Sequence, residues 1–131
     1  MVIIKIVLIS ADDSLTNSIS SCLKQSGYQV VSTSHGIGTI ELIHHEKPSL
    51  VILDGVLPDY SSLAIIRLIR VEESISRIPL ILMGANMREE DALIGLEVGA
   101  DLCLLETFHP QVFVSRVRSL LRRTEPLKIR L

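Results

Sequence analysis

The chain has 131 residues and a formal net charge of −2, from 15 acidic and 13 basic side chains, so it makes about one domain and lacks the basic field of a general nucleic-acid binder. Ile, Leu and Val supply 48 of the residues, an ample aliphatic core that excludes intrinsic disorder. No apolar run approaches the ~20 residues of a membrane-spanning helix, the first residues lack the features of a secretory signal, and two cysteines make no disulfide framework; a soluble, cytoplasmic protein is expected.

Residues 3–9 are the first of five short β-branched runs that read as strands. Leu15, Ile19, Cys22 and Leu23 then follow helical spacing, and Gly27 closes that helix. Residues 29–33 make the second strand, and Ile40 and Ile43 mark a second helix. Pro48 precedes the third strand at 50–53, and Leu63, Ile66 and Ile69 mark the third helix. Pro79 precedes the fourth strand at 80–83, and Leu93, Leu96 and Val98 belong to a fourth helix ended by Gly99. The fifth strand spans 102–105. Pro110 opens the last helix, where a missing N–H costs nothing, and Phe113, Val114, Val117, Leu120 and Leu121 form its stripe. Cys22 and Cys103 lie in these apolar patterns and read as buried free thiols. Continuous apolar strands are those covered on both faces, so the alternation predicts an α/β fold, (βα)5, with a parallel sheet between two helical layers. Thr124-Glu125-Pro126 breaks the last helix, and Leu127, Ile129 and Leu131 then alternate with Lys128 and Arg130, as at the start of a strand or in a loose tail.

Ligands in such sheets bind beyond the carboxyl ends of the strands. Candidate site residues are therefore 10–13, 54–60, 84–86 and 106–108. Three acids are singled out from them as a cluster: Asp12, Asp13 and Asp54. Crowded carboxylates favour a hard cation, and an open oxygen site that also handles phosphate suits Mg²⁺. Asp12 and Asp13 taken alone equally fit helix N-capping. Asp54 ends the apolar run Leu50-Val51-Ile52-Leu53 and precedes Gly55, which places it at the ligand-binding edge.

The motifs Asp12-Asp13, Leu53-Asp54-Gly55-Val56-Leu57-Pro58-Asp59, Ile78-Pro79, Gly99-Ala100-Asp101 and the last-helix segment 116–123 resemble the receiver domain of two-component response regulators. The resemblance runs from Lys5 to about Arg123. It implies a flavodoxin-like doubly wound sheet for residues 1–123 and a linker at 124–131 that leads to an output domain, often DNA-binding. It implies that Asp54 accepts a phosphoryl group, a form of carboxylate nucleophile chemistry, and that Mg²⁺ is held by Asp12, Asp13, Asp54 and the backbone carbonyl of Val56. The implied donor is a sensor histidine kinase or phosphotransfer protein. The implied output surface, to a partner or a sister copy, is the face of the fourth helix, fifth strand and fifth helix. Such a domain is no enzyme beyond catalysing its own phosphoryl transfer, and it has no membrane contact.

Several positions depart from the family pattern. Gly84 stands where the family has a Thr or Ser whose hydroxyl bonds a phosphoryl oxygen, typically worth roughly 1.5–3 kcal/mol. Glu106-Thr107 stands where the family has Lys-Pro. A carboxylate about 5 Å from the phosphoryl group would repel it by on the order of 3 kcal/mol at an effective dielectric of 20, unless Glu106 turns to solvent or joins the metal shell. Arg88 is a candidate replacement cation, although an early-helix Arg also suits a solvated face. Cys103 replaces an aromatic switch residue, and Ser62 replaces a Gly before the third helix. These changes motivate a rival reading, a pseudo-receiver that binds partners without phosphorylation. A phosphatase of similar topology fits less well, because the acids after the first strand are adjacent and no cationic phosphate clamp is present. His44-His45-Glu46 reads as a solvated helix end, His35 and His109 as loop residues, and Arg116, Arg118, Arg122 and Arg123 as the wet face of the last helix.

Overall fold

The structure is a computed structural model, described over residues 2–84, 87–105 and 109–124. Strands and helices alternate as β1 (Lys5–Ile9), α1 (Asp13–Gln25), β2 (Gln29–Thr33), α2 (Thr39–Glu46), β3 (Leu50–Asp54), α3 (Ser62–Val71), β4 (Leu80–Met83), α4 (Glu89–Val98), β5 (Leu102–Leu104) and α5 (Pro110–Thr124). The five strands form one parallel sheet in the order β2-β1-β3-β4-β5. This is the parallel α/β sandwich expected from the alternation, and its strand order is that of the flavodoxin-like sheet the resemblance implies.

The period-two geometry of strands divides the core in two. Val7, Ile9, Val51, Leu53, Leu80 and Leu82 point to one face, where they bury Ile43 of α2 and Ile65, Ile66 and Ile69 of α3. Ile6, Leu8, Leu50, Ile52, Ile81 and Met83 point to the other, against Ile19 and Leu23 of α1 and Phe113, Val117, Leu120 and Leu121 of α5. A fully buried side chain of this kind stabilises the fold by roughly 1.5–3 kcal/mol, so both layers are firmly held. The stripes read from the sequence for α1, α2, α3 and α5 are the ones that face inward.

Three boundaries differ from the sequence reading. β1 begins at Lys5, with Val2 and Ile3 exposed; β3 runs one residue further to include Asp54; and β5 stops at Leu104. Leu93, Leu96 and Val98 belong to α4 as expected, but the two leucines are not its inward face. Leu93 and Leu96 are 58% and 46% exposed, and the helix meets the sheet through Ala92 and Gly95 instead. A Cβ on Gly95 would lie 2.5 Å from Leu82 Cδ2 and 3.5 Å from Cys103 Sγ. The helix approaches too closely for a leucine there. Cys22 and Cys103 are free, as expected, but each is only partly buried. Partial burial still pushes both thiols above their ordinary pKa. No helix among the described residues is long and apolar enough to cross a membrane.

At the amino end of the sheet, Arg70 on α3 ties several segments together. Its Nε donates to Gly99 O (2.8 Å), Nη1 to Ser76 O (3.0 Å) and Ile78 O (2.6 Å), and Nη2 to Asp101 Oδ2 (2.9 Å). Asp101 Oδ2 also accepts the Leu80 N–H at 2.8 Å. Gly99, at φ 134°, leaves room for the Arg70 stem, which a Cβ would meet at 2.6 Å.

Candidate functional site

Sheet register brings the site together. Ile9 pairs with Leu53, so the next residues, Ser10 and Asp54, meet side by side. Their side chains share one face because each continues the parity of its strand. Asp54 is only 7% exposed, and a carboxylate buried to that degree needs partners. Its Oδ2 accepts the Ser10 hydroxyl at 2.8 Å, and its Oδ1 accepts the Val56 N–H at 3.0 Å. Its backbone carbonyl accepts the buried Ser62 hydroxyl at 2.6 Å. Ser62 is the first residue of α3 rather than a loop residue. It pins the helix to the end of β3, a role its sequence position alone did not show.

Asp12 is the N-cap of α1. Its Oδ1 accepts the Leu15 N–H at 3.0 Å, while its own N–H donates to Ser10 Oγ at 3.2 Å. Asp13 follows in the first turn of the helix and is exposed. The capping reading thus holds for Asp12. Among the described residues, no group of three His, Cys, Asp or Glu side chains is gathered closely enough to hold a metal. The oxygen donors of Asp12, Asp13 and Asp54 are nevertheless chemically suited to a hard divalent cation. Val56 follows Asp54 by two residues, with its side chain largely exposed.

Gly84 lies directly beside the acid. A Cβ there would be 3.5 Å from Asp54 Oδ1, 3.6 Å from Met87 Cβ and 3.8 Å from Gly55 N, all ordinary contacts. The space for a small side chain exists and is unfilled by Gly84 itself. Gly55 is the opposite case, since a Cβ would lie 2.5 Å from Met87 Sδ. Asp59 closes the loop after β3. Its carboxylate accepts the N–H groups of Gly36 (2.9 Å) and Ile37 (3.0 Å), tying this loop to the one after β2. The Ile37 and Gly36 donors hold its pKa below the ordinary carboxylate value.

Cys103 sits in β5 with its Sγ 3.4 Å from Ala92 O, filling the shallow space beneath Ala92 and Gly95. Arg88 is 77% exposed and lies near Asp91 (3.6 Å) and Glu90 (3.8 Å) on its own helix. It keeps to the solvated face. His44 pairs with Glu72 at the end of α3, and Glu46 pairs with Lys5 at 2.8 Å. His44 and His45 are exposed, so the helix end is solvated as expected, with partners for His44 and Glu46. The four arginines 116, 118, 122 and 123 are exposed. Glu106 and Thr107, and the tail beyond 124, lie outside the described residues.

The sequence model of the response regulator receiver domain matches residues 6–118. The chain belongs to this family. Curated relatives of the receiver include the transcriptional regulatory protein GltR of Pseudomonas aeruginosa, 34% identical over 125 residues, 95% of this chain and 52% of the relative. The alkaline phosphatase synthesis transcriptional regulatory protein PhoP of Bacillus subtilis is 31% identical over 121 residues, 92% of this chain and 50% of the relative. The receiver therefore spans about half the length of the curated relatives it matches. Among solved structures, the beryllofluoride-activated N-terminal receiver domain of Klebsiella pneumoniae RstA superposes with a TM-score of 0.83 at 30% identity, covering 90% of this chain and 98% of that one. The chemotaxis response regulator CheY4 of Vibrio cholerae shares the fold, with a TM-score of 0.83 at 18% identity, over 91% of this chain and 99% of that one. Two-component signalling is accordingly the setting of this receiver.

Proposed function

We propose that this receiver accepts a phosphoryl group on Asp54 from a sensor histidine kinase or phosphotransfer protein. The observation that carries the reading is the Asp54 carboxylate itself, held at the carboxyl end of β3 with both oxygens hydrogen-bonded. An Asp54 oxygen attacks phosphorus, and the donor's P–O or P–N bond breaks with its electron pair leaving on the donor. Asp12, Asp13, Asp54 and the Val56 carbonyl are the groups that would hold Mg²⁺, and the three side chains would have to draw closer than they lie here to do so. When bound, that ion offsets the charge of the transferring phosphoryl group. Output leaves through the α4–β5–α5 face, where exposed Leu93, Ile94 and Leu96 offer apolar contact to a partner or a second copy. The relatives are named as transcriptional regulators and are about twice as long, which supports an output domain acting on DNA beyond the 124–131 linker.

A second reading, a pseudo-receiver acting without phosphorylation, is favoured by Gly84, which brings no hydroxyl to the acid. Intact-mass measurement after incubation with acetyl phosphate and Mg²⁺ separates the two. A phosphoryl-sized gain that Asp54→Asn abolishes is the expected result. No gain, together with no beryllofluoride binding, overturns the first reading in favour of the second.

A further inference from the structure

We propose that the Ser10 hydroxyl shortens the lifetime of the phosphoryl group on Asp54, an inference that rests on Asp54 being the phosphoacceptor. Ser10 is 3% exposed at the end of β1. The Asp12 N–H donates to its oxygen at 3.2 Å, which fixes the hydroxyl, and its own O–H donates to Asp54 Oδ2 at 2.8 Å. The site thus has a hydroxyl, but on the β1 side of the acid rather than at Gly84 on the β4 side. From there it bonds the acceptor carboxylate.

That placement has a definite chemical sign. In the free carboxylate, Oδ2 shares a full negative charge. In the acyl phosphate, the unesterified oxygen is a neutral carbonyl, and the esterified oxygen is a poorer acceptor still. Hydrogen bonds to charged acceptors are roughly twice as strong as those to neutral ones. With phosphorus on Oδ1, the oxygen that faces Gly84, the Ser10 hydroxyl therefore stabilises the unphosphorylated form more. In hydrolysis, water attacks phosphorus and the bond from phosphorus to the Asp54 oxygen breaks. The bonding pair returns to Asp54 as carboxylate, inorganic phosphate departs, and the water proton passes to phosphate or solvent. Ser10 stabilises the negative charge that develops on the departing carboxylate. The difference between charged and neutral hydrogen bonds corresponds to about fivefold in rate.

The test loads wild type, Ser10→Ala, Ser10→Thr and Asp54→Asn with acetyl phosphate and Mg²⁺, removes the donor, and follows loss of the phosphoryl mass. Thermal unfolding of each protein is measured alongside. The expected result is a half-life about fivefold longer in Ser10→Ala and a return toward wild type in Ser10→Thr. Loading of Ser10→Ala where wild type stays unloaded supports the same conclusion. A half-life equal to or shorter than wild type in Ser10→Ala overturns the proposal alone. So does equal lengthening in both variants, which assigns the effect to disturbed packing. If neither wild type nor any variant gains the mass, the phosphoacceptor reading itself fails and the Ser10 proposal falls with it.

Discussion

Replacing Gly84 by Ser restores a hydroxyl to the β4 side of the site, and the structure sets what this costs and gains. The backbone at Gly84 is not among the positive-φ glycines, so an L side chain is unstrained there. The new Cβ meets Asp54 Oδ1, Met87 Cβ and Gly55 N at 3.5, 3.6 and 3.8 Å, with no overlap. Removing a glycine under such conditions stabilises a protein by about 0.4–1 kcal/mol through the unfolded chain, so the melting temperature should hold or rise slightly. A hydrogen bond from the hydroxyl to a charged phosphoryl mimic is worth roughly 1.5–3 kcal/mol. Each 1.4 kcal/mol is tenfold in affinity, which gives beryllofluoride binding tighter by about 10- to 100-fold. Isothermal titration in the presence of Mg²⁺ reads this directly. Gly84→Ala is the control, since it adds the same Cβ without a donor and should leave affinity close to wild type. If Gly84→Ser folds normally yet binds the mimic within twofold of wild type, the argument that Gly84 removes a working hydroxyl from this site is wrong.

Two further outcomes test the frame around the site. Arg70→Ala removes donors to three carbonyls and the Asp101 ion pair, and it should cost about 2–4 kcal/mol in urea unfolding; a loss below about 0.5 kcal/mol would show that solvent replaces this network freely. Asp59 has a lowered folded-state pKa, so the stability it gives is complete above its ordinary value of 3.8 and is lost as pH falls through the depressed value. Asp59→Asn should flatten the acid limb below pH 3.8, with the urea midpoints of variant and wild type converging as pH drops, and parallel curves across that range would contradict the assignment.

Much of this architecture was legible in the residues because burial on both faces leaves a strong mark. The apolar runs at Leu50 and Leu80 lie within β3 and β4, and the stripes of α1 and α5 face the sheet as spaced. Hydrophobicity misled at α4, because close helix–sheet approach selects Ala92 and Gly95 and sends leucines outward. The bond between Ser10 and Asp54 joins residues 44 apart. It follows from strand register, which neither local sequence reveals by itself. Ser62 and Arg70 were obscure for the same reason, since each acts through backbone carbonyls of other segments. The acid edge was visible from the strand-end rule, whereas the division of labour among its residues required the hydrogen bonds.

The attachment of α4 has a mechanical consequence. Its carboxyl end is anchored, because Arg70 grips the Gly99 carbonyl that follows it. Its other end is preceded by Met87, whose sulfur lies against Gly55 beside the acid. Between the two ends the contact surface is built from small residues, with little to interlock. The helix is thus a lever with its fulcrum far from the site. Ten residues make about 15 Å of helix, so moving the Met87 end by 1 Å needs a tilt of only about 4°. Such a tilt slides Ala92 and Gly95 over the sheet without prising apart any large interdigitated side chain, while Leu93 and Leu96, on the outer surface, swing with it.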